Sequence, residues 1–292
     1  MSDDAIGVAN RMIAAVDTAS ALAIAFGVRA RGETLPDQLG QIIDSIAAAV
    51  VDLDAVPSPL AGSLGSLLSS MIAQDAAFVA NPAGATRWQF DDPMVLRTQG
   101  RASAAFAPVL RDQVVSRNEV LSKRLAAGGD ILDVGVGVGA LATELARVFP
   151  AARVMGIDVW EPSLALARGE IAAAGLDDRV EVRLQDVAAL DDVAHYDLVW
   201  FAAPFIPDAV FDAGLGRCRA ATRDGGTIAM VCYGGTDALT SALADLRTLR
   251  SGGPVLSDDE AIERVERAGY AHTELLRVDI GLPGRLFVAQ AI

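Results

Sequence analysis

Short apolar runs alternate with longer amphipathic runs from Asp130 to the end of the chain, and this alternation constrains the fold more than any other feature. Strands are predicted at 130–134, 153–158, 179–185, 196–202 and 226–233. Helices are predicted between them at 139–149, 162–174, 207–221 and 237–249. This pattern predicts a parallel sheet whose strands are joined by crossover helices, an α/β doubly wound architecture.

The end of the chain departs from this pattern. A predicted helix at 258–268 precedes two strand-like runs at 272–280 and 285–291, which only Gly281-Leu-Pro-Gly284 joins. A connection this short allows a hairpin but not a crossover, so the last strand is predicted to be antiparallel.

The part of the chain before Asp130 is predicted to be mostly helical. Apolar-periodic runs lie at 4–27, 36–52 and 58–80. The chain is divided into an N-terminal helical region at 1–87, a linker with a lead-in helix (101–127) at 88–128, and an α/β domain at 129–292. The helical region is expected to cover the α/β domain or to form a homodimer.

The apolar stretch at 12–26 bears on membrane association. Asp17 interrupts it and it is shorter than a membrane span, so it is predicted to be a buried or amphipathic helix. The cysteines are Cys218 and Cys232, which are too few for a disulfide scaffold and favour a cytoplasmic location. No membrane association is therefore expected.

Charge argues against a nucleic-acid partner. The formal net charge is −14. Residues 1–128 carry 13 acidic and 10 basic side chains, whereas residues 129–292 carry 25 and 14. An acidic domain repels a phosphate backbone, since nucleic-acid binding depends on cationic side chains.

A glycine-rich loop follows the first predicted strand of the α/β domain. Asp133 precedes Gly135, Gly137 and Gly139, which lie at the start of the next helix. Glycines there allow a tight turn and a close approach of the backbone to a ligand. Gly135, Gly137 and Ala140 also satisfy the dinucleotide pattern, so the loop alone leaves a nicotinamide-dependent enzyme open.

Three acidic residues near the predicted strand ends narrow the choice of ligand. Asp133 lies two residues before Gly135, where dinucleotide sites usually have an apolar residue. Asp158 ends the second strand, and its carboxylate can accept hydrogen bonds from a ribose diol in either class of enzyme. Asp186 ends the third strand, where a carboxylate can accept from an adenine amino group.

Together these features resemble the class I S-adenosylmethionine-dependent methyltransferases, from about residue 101 to residue 292. The loop matches the family's first motif, Asp158 its ribose acid and Asp186 its adenine acid, and the terminal hairpin matches its antiparallel seventh strand. The resemblance implies the strand order 3-2-1-4-5-7-6, with Gly135 and Gly137 against the methionine part of the cofactor and Val187 beside the adenine. The predicted cofactor-binding residues are Asp133, Gly135, Gly137, Gly139, Asp158, Asp186, Val187, Phe201, Gln99 and Arg101.

The segment after the fourth strand bears on the acceptor. Phe201, Phe205 and Ile206 suggest a pocket for an uncharged or aromatic surface. Ala203 precedes Pro204, so the amide or carboxylate with which amino-methylating enzymes of this family hold a planar amine is missing. The predicted acceptor-binding residues are Trp88, Phe90, Phe201, Phe205 and Tyr233.

Few residues are placed to act as a general base. Asp208 and Tyr233 lie near the carboxyl ends of strands, where ligands bind in such sheets, and are the candidates. His195 lies at the opposite edge, and His272 begins the sixth predicted strand. No cluster has the spacing of metal ligands, so no metal is expected.

Residues 88–101 are predicted to form part of the active-site wall. The lead-in helix must end at the amino end of the first strand, so its start is expected near the opposite, ligand-binding edge. Arg97, Gln99 and Arg101 would then approach the cofactor, whose carboxylate an arginine can bind, and Trp88 and Phe90 would cap the acceptor.

These observations converge on a methyltransferase of the small-molecule type. Residues 129–292 are interpreted as the S-adenosylmethionine-binding catalytic domain, which transfers the methyl group to a small acceptor by in-line displacement. Two alternatives stay open at this point: an NAD(P)-dependent oxidoreductase, and a non-catalytic interaction protein that binds the cofactor.

Overall fold

A computed structural model of the chain describes residues 2–82, 88, 90–279 and 283–292. The chain divides into two compact units, Met1–Ala80 and Asn81–Ile292. Residues 81 and 82, assigned from the sequence to the helical region, thus fall in the second unit. Residues 88–128 belong to the same compact unit as the α/β domain.

The first unit consists of three helices, as the apolar periodicity predicts. They are α1 (Ser2–Arg31), α2 (Asp37–Ala48) and α3 (Ser58–Ala80), with a short 3-10 turn at Leu53–Ala55. Small residues let α1 and α3 approach closely, because a Cβ on Gly65 would lie 2.8 Å from the backbone nitrogen of Gly27. Ala21, Ala25, Ile43 and Ala47 form the buried cluster of this unit.

The apolar part of α1 is longer than the sequence suggests. The stretch Ile6–Arg31 is long and apolar enough to cross a membrane by length and composition alone. The helix continues beyond 12–26 at both ends, and the prediction that it is a buried or amphipathic helix stays a prediction. A core helix of a soluble protein and a signal sequence meet the same criterion.

The second unit is built on a seven-stranded sheet. Its strands are β1 (Asp130–Val134), β2 (Arg153–Asp158), β3 (Val180–Leu184), β4 (Tyr196–Ala202), β5 (Thr222–Tyr233), β6 (Tyr270–Asp279) and β7 (Pro283–Ala291). They lie in the order β3-β2-β1-β4-β5-β7-β6. The first five are parallel to one another, and β7 is antiparallel to both β5 and β6. The predicted class I methyltransferase fold, strand order and antiparallel last strand are confirmed.

Three strands begin earlier than predicted, among them β7, which starts at Pro283 instead of 285. β5 starts at Thr222 instead of 226, and β6 at Tyr270 instead of 272. The register of β6 against β7 shifts between Ala271 and Glu274, where His272 has a φ of 58°. Of the predicted Gly281–Gly284 connection, residues 281 and 282 lie outside the described residues.

Helices cover both faces of the sheet. They are α4 (Pro93–Ala104), α5 (Glu119–Ala126), α6 (Ala140–Val148), α7 (Glu161–Ala173), α8 (Asp208–Ala221), α9 (Ala238–Ser251) and α10 (Asp258–Arg267). Adjacent residues of β1 belong to different buried clusters: Ile131 packs with Leu141 and Trp200, whereas Leu132 packs with Phe211 and Met230. This alternation is the period of two that a strand imposes when both faces of its sheet are covered.

The single lead-in helix predicted at 101–127 is wrong. α4 starts earlier, with Asp92 accepting a hydrogen bond from the backbone nitrogen of Met94 and Pro93 in its first turn. A short α-helical turn, a π turn and a 3-10 turn follow, spanning residues 106–117. Pro108 lacks the backbone donor that a continuous helix needs. α5 then begins anew, capped by the side chain of Asn118.

Candidate functional site

The carboxyl ends of five parallel strands meet along one edge of the sheet, called the carboxyl edge below. In spatial order the strands β3, β2, β1, β4 and β5 lead into or end at Asp186, Asp158, Gly135, Ala203 and Tyr233. Neighbouring strands lie about 4.8 Å apart, so this edge is about 19 Å long. It can hold an extended nucleoside-containing molecule together with a second small molecule.

The glycine loop forms the centre of the carboxyl edge. Gly135, Gly137 and Gly139 all have positive φ, at 78°, 55° and 74°, which L side chains rarely adopt. A Cβ on Gly137 would meet nothing within 4 Å, so this part of the backbone faces open space. A Cβ on Gly139 would lie 3.3 Å from the Cβ of Ala167, so this glycine allows close packing on α7.

Asp158 connects the end of β2 to the glycine loop. Its Oδ2 accepts a hydrogen bond from the backbone nitrogen of Gly137 at 2.9 Å, and its Oδ1 accepts one from that of Trp160 at 2.8 Å. Burial raises the pKa of this carboxyl, and the backbone hydrogen bonds oppose that effect. A carboxylate oxygen has more than one lone pair, so each can also accept from a ligand hydroxyl.

Asp133 is a buried acid at the base of the same loop. Its side chain is 1% exposed, and its Oδ2 has no hydrogen-bond partner among the residues that the structure describes. Burial, and secondly the charge of Asp158, raises the pKa of Asp133 to about 7. Burying a carboxyl oxygen without a hydrogen-bond partner costs free energy unless a bound ligand supplies the partner. A cationic ligand would also favour the ionised form of Asp133.

At the end of β3, Asp186 is exposed and its Oδ1 accepts from the backbone nitrogen of Ala188 at 2.8 Å. The other carboxylate oxygen of Asp186, Oδ2, has no such hydrogen bond among the residues that the structure describes. Val187, expected beside the adenine, is 5% exposed, and a Cβ on Gly214 would lie 2.8 Å from its Cγ1. This side chain packs against α8, and its expected contact with the adenine stays a prediction.

Phe201 also lies in the core. Its side chain has no exposed area, and its ring contacts that of Phe211 edge-on at 5.3 Å between centroids. The side chain of Phe201 is thus part of the core, and its predicted contact with cofactor and acceptor stays a prediction. Trp200 and Phe201 point to opposite faces of β4, as successive strand residues must.

An aromatic cluster lies beside the carboxyl edge. The ring of Trp88 is 5.2 Å from that of Phe90 and 5.5 Å from that of Phe205, between centroids. The indole nitrogen of Trp160 donates to the carbonyl oxygen of Phe90 at 2.9 Å. The segment before α4 is thus fastened both to the end of β2 and to the turn after β4, although residues 83–87 and 89 of it lie outside the described residues.

α4 extends this wall over the glycine loop. A Cβ on Gly100 would lie 2.3 Å from Cγ2 of Val138, so only glycine permits the contact. The side-chain nitrogen of Gln99 donates to the hydroxyl of Tyr233 at 3.5 Å. The structure therefore brings Gln99 to the carboxyl edge, as the sequence predicts, and connects it to the end of β5.

The two arginines predicted to approach the cofactor lie on the surface of α4. Arg97 donates to a carboxylate oxygen of Glu170 on α7 at 2.9 Å, and both side chains are nearly half exposed. Arg101 is exposed. Its predicted contact with the cofactor stays a prediction.

The candidate bases separate in the structure. Asp208 is exposed at the start of α8, and its carboxylate accepts from Arg264 at 2.7 Å. His195 lies near Asp130 at the amino end of the sheet, opposite the carboxyl edge. Tyr233 is the candidate that contacts another predicted site residue, since Gln99 bonds its hydroxyl.

Tyr233 is suited to donate a hydrogen bond. Burial raises the pKa of its hydroxyl, while the hydrogen bond from Gln99 and the charge of Arg250 oppose that effect. A raised pKa keeps the phenol protonated at neutral pH, so it cannot take a proton there. The protonated hydroxyl of Tyr233 is thus better suited to orient a ligand by donating a hydrogen bond than to act as the expected base.

The sequence reasoning missed Trp160, Arg250 and Ser251. Trp160 follows Asp158 in the loop after β2, and its place next to a ribose acid was the available signal. Arg250 and Ser251 lie at the end of α9, far along the chain from the other site residues, and no local pattern indicates them. No group of three or more metal-binding side chains occurs in the part of the chain that is described.

Comparisons with known proteins agree with this geometry. Residues 131–226, which contain the glycine loop, Asp158 and Asp186, match the methyltransferase domain family. The chain is 33% identical to the methyltransferase GfsG of Streptomyces halstedii over 169 residues, covering 55% of this chain and 60% of that protein. It is 32% identical over 135 residues to a release factor glutamine methyltransferase of Gloeobacter violaceus, covering 44% and 45%. The matches thus span about half the length of these curated relatives.

The likeness of fold extends further than that of sequence. The solved structure of human N-acetylserotonin methyltransferase in complex with SAM covers 98% of this chain and 97% of its own, with a TM-score of 0.67 and 16% identity. At that identity the comparison shows the fold. The sheet order, the glycine loop and the family match together support the predicted family and cofactor class: residues 131–226 match a methyltransferase domain, and the chain has the fold of the class I S-adenosylmethionine-dependent methyltransferases.

Proposed function

We propose that this protein transfers the methyl group of S-adenosylmethionine to a small-molecule acceptor. One observation carries the proposal. The carboxylate of Asp158 accepts a hydrogen bond from the backbone nitrogen of Gly137, and the space beside that glycine is open. The aromatic cluster of Trp88, Phe90 and Phe205 lies farther along the same edge. A cofactor cradle and an apolar aromatic cluster are thus adjacent.

The residues of the cradle fit the cofactor. Asp158 would accept from the ribose hydroxyls with its remaining lone pairs, and the open backbone at Gly137 would lie against the methionine part. The buried carboxyl of Asp133 would favour the cationic ammonium and sulfonium groups. Asp186 would accept from the adenine amino group at the end of β3. When bound, the cofactor supplies an electrophilic methyl group on a sulfonium.

The protein's own contribution to catalysis would be positioning. Trp88, Phe90 and Phe205 would hold the acceptor against the methyl group and exclude water. The protonated hydroxyl of Tyr233 would orient the acceptor by donating a hydrogen bond. We infer that the acceptor's nucleophilic atom loses its proton to solvent or reacts from a form that is already deprotonated, because the raised pKa of Tyr233, the predicted base that lies at this site, keeps its hydroxyl protonated.

Other readings receive less support. A nicotinamide-dependent oxidoreductase would be expected to carry an apolar residue where the buried Asp133 lies, and the family match is to methyltransferases. A non-catalytic role would leave the aromatic wall beside the cradle unexplained. A small acceptor suits the apolar wall and the acidic charge of residues 129–292 better than a nucleic acid does.

We also propose a cytoplasmic location and a homodimer formed through the first unit. Both cysteines are buried and free, which suits a reducing compartment. Exposed apolar side chains on α1, among them Met12, Ile13 and Val16, would gain from burial in a dimer.

Calorimetry tests the cofactor site directly. The wild-type protein is expected to bind both S-adenosylmethionine and S-adenosylhomocysteine. Asp158→Ala should weaken binding by about 1.5–3 kcal/mol, the scale of a lost hydrogen bond to a charged group. Asp191→Ala, at an exposed position, is the control. Unchanged affinity in the Asp158 variant would show that the site is assigned wrongly.

Turnover distinguishes an enzyme from a binding protein. Incubation with radiolabelled S-adenosylmethionine and a library of small hydroxylated, amino and carboxylic compounds should yield a labelled product with at least one acceptor. S-adenosylhomocysteine should form in equal amount. Tight cofactor binding without transfer to any compound or to cell extract would favour the non-catalytic alternative.

A further inference from the structure

Trp160 connects the cofactor half of the carboxyl edge to the aromatic cluster. Its backbone nitrogen donates to Oδ1 of Asp158 at 2.8 Å, and its indole nitrogen donates to the carbonyl oxygen of Phe90 at 2.9 Å. The ring of Phe90 lies 5.2 Å from that of Trp88, which lies 5.5 Å from that of Phe205, between centroids. A continuous series of contacts thus runs from the expected ribose acid to the turn after β4.

The backbone of Trp160 has a fixed position in the second unit. Trp160 directly precedes α7, and its carbonyl oxygen accepts from the backbone nitrogens of Ser163 at 3.1 Å and Leu164 at 3.2 Å. The bond to Asp158 holds the backbone from the other side. A residue that the scaffold supports in this way can orient its neighbours with more precision than a residue on an unsupported loop.

The two residues of the aromatic cluster nearest to Trp160 lie outside regular structure. Trp88 and Phe90 belong to neither a helix nor a strand, and α4 starts only at Pro93. Backbone hydrogen bonds of a helix or a strand therefore do not fix them. The ring pairs and the hydrogen bond from Trp160 contribute directly to their orientation.

The indole nitrogen of Trp160 is engaged within the protein. An indole carries one donor and no acceptor, and here the donor is bonded to the carbonyl oxygen of Phe90. The N–H group is thus not available to a bound acceptor. An effect of this group on the acceptor would pass through Phe90 and Trp88.

We propose that Trp160 is a positioning residue for the acceptor: its indole N–H fixes Phe90, and Phe90 holds Trp88 in the orientation that contacts the acceptor. This inference rests on the proposed function and adds to it a residue that acts through other side chains. The bond from residue 160 to Asp158 comes from the backbone, so the cofactor site should not depend on the indole nitrogen.

A single-atom change in the full-length protein tests the proposal. Benzothienylalanine at position 160 keeps the shape of the indole and has a sulfur atom in place of the N–H group. The probe is β-naphthol, an apolar aromatic molecule with one hydroxyl, titrated by calorimetry in the presence of saturating S-adenosylhomocysteine. The analogue should weaken probe binding about threefold to tenfold, which is the effect of one lost neutral hydrogen bond.

A double-mutant cycle shows whether Trp160 acts through Trp88. Trp88→Ala alone should weaken probe binding about tenfold or more, because it removes a large aromatic surface. In the Trp88→Ala protein, the analogue at position 160 should weaken binding by less than about twofold, since two residues that act through each other are not additive. A general loss of structure would instead give additive effects.

Controls separate the lost donor from other changes. The same analogue at position 200 replaces a core tryptophan that is 2% exposed, and it should leave probe binding unchanged. Trp160→Phe removes the donor together with part of the ring and should weaken probe binding at least as much as the analogue. Affinity for S-adenosylhomocysteine should be the same with tryptophan or the analogue at position 160.

Several outcomes would overturn the inference. Failure of the wild-type protein to bind the probe, unchanged probe binding with the analogue at position 160, or additive effects in the cycle would each do so. A loss of S-adenosylhomocysteine affinity with the analogue would assign the indole to the cofactor instead. Wild-type protein that fails to bind S-adenosylhomocysteine would overturn the proposed function itself, whereas normal cofactor binding with unchanged probe binding would overturn this inference alone.

Discussion

Replacing Asp133 by asparagine should make the second unit more stable and its cofactor site weaker. In the folded protein the pKa of this acid is raised from 3.8 to about 7, chiefly by burial. The difference of about three pH units corresponds to about 4 kcal/mol, since each unit is worth about 1.4 kcal/mol. Asparagine has nearly the same shape and cannot ionise, so the variant is free of this cost.

The sign of the effect follows from proton linkage. The folded state binds the proton of Asp133 more tightly than the unfolded state does, so the group costs nothing below pH 3.8. Between pH 3.8 and about 7 the wild-type protein should lose stability relative to Asp133→Asn by about 1.4 kcal/mol per pH unit. Above pH 7 the difference should level off, with about 4 kcal/mol as its upper limit.

Tryptophan fluorescence reports on the relevant unit. The three tryptophans, Trp88, Trp160 and Trp200, all lie in the second unit, so urea unfolding followed by fluorescence monitors that unit and not the helices of the first. Wild type, Asp133→Asn and the exposed control Asp191→Asn should be compared at several values between pH 4 and 8. The control should parallel the wild type.

The same substitution tests whether the cost has a function. If Asp133 stabilises the cationic ligand, Asp133→Asn should bind S-adenosylmethionine about tenfold more weakly or worse at pH 8, the scale of a lost charged interaction. Affinity for S-adenosylhomocysteine, which lacks the sulfonium charge, should fall less. Parallel stability curves for variant and wild type would refute the burial argument. An unaltered affinity for S-adenosylmethionine would refute the role in binding.

Three further predictions address the loop, the metal requirement and the wall. Gly137→Ala should reduce cofactor affinity more than stability, whereas Gly139→Ala should mainly lower the melting temperature, because its Cβ would meet Ala167 at 3.3 Å. Treatment with EDTA should leave methyl transfer unchanged, and restoration of lost activity by Mg²⁺ would contradict the pocket as described. Trp88→Ala should reduce turnover more than melting temperature and Arg101→Ala should weaken cofactor binding; if only the melting temperatures change, the segment is structural.

The cofactor half of the site could be read from the sequence because its signals are local. A short apolar run predicts each strand of the parallel sheet, and the residues that follow the strand must lie at the carboxyl edge. Gly137 and Asp158 therefore fall where predicted, and the hydrogen bond between them follows from the adjacency of β1 and β2. The order of the strands came from the resemblance, which the structure confirms.

The direction of a side chain is the property that the sequence does not give. Val187 lies in the 3-10 turn after β3 and Phe201 lies near the end of β4, and at neither position does the sequence tell which face receives the ligand and which the core. Both point to the face that α8 covers, as the contact of Val187 with Gly214 shows. Pro108 is a local signal for a break in the lead-in helix, whereas the apolar periodicity of the same segment predicts a continuous helix.

The acceptor half of the site depends instead on contacts between distant parts of the chain. Trp88 meets Phe205 across 117 positions of sequence, and Gln99 meets Tyr233 across 134. None of these contacts shapes the glycine loop, so acceptor choice can change without loss of the cofactor cradle. A fold of this kind can thus serve many acceptors, since the strand ends keep the cofactor in place while the added segments supply the chemistry of recognition.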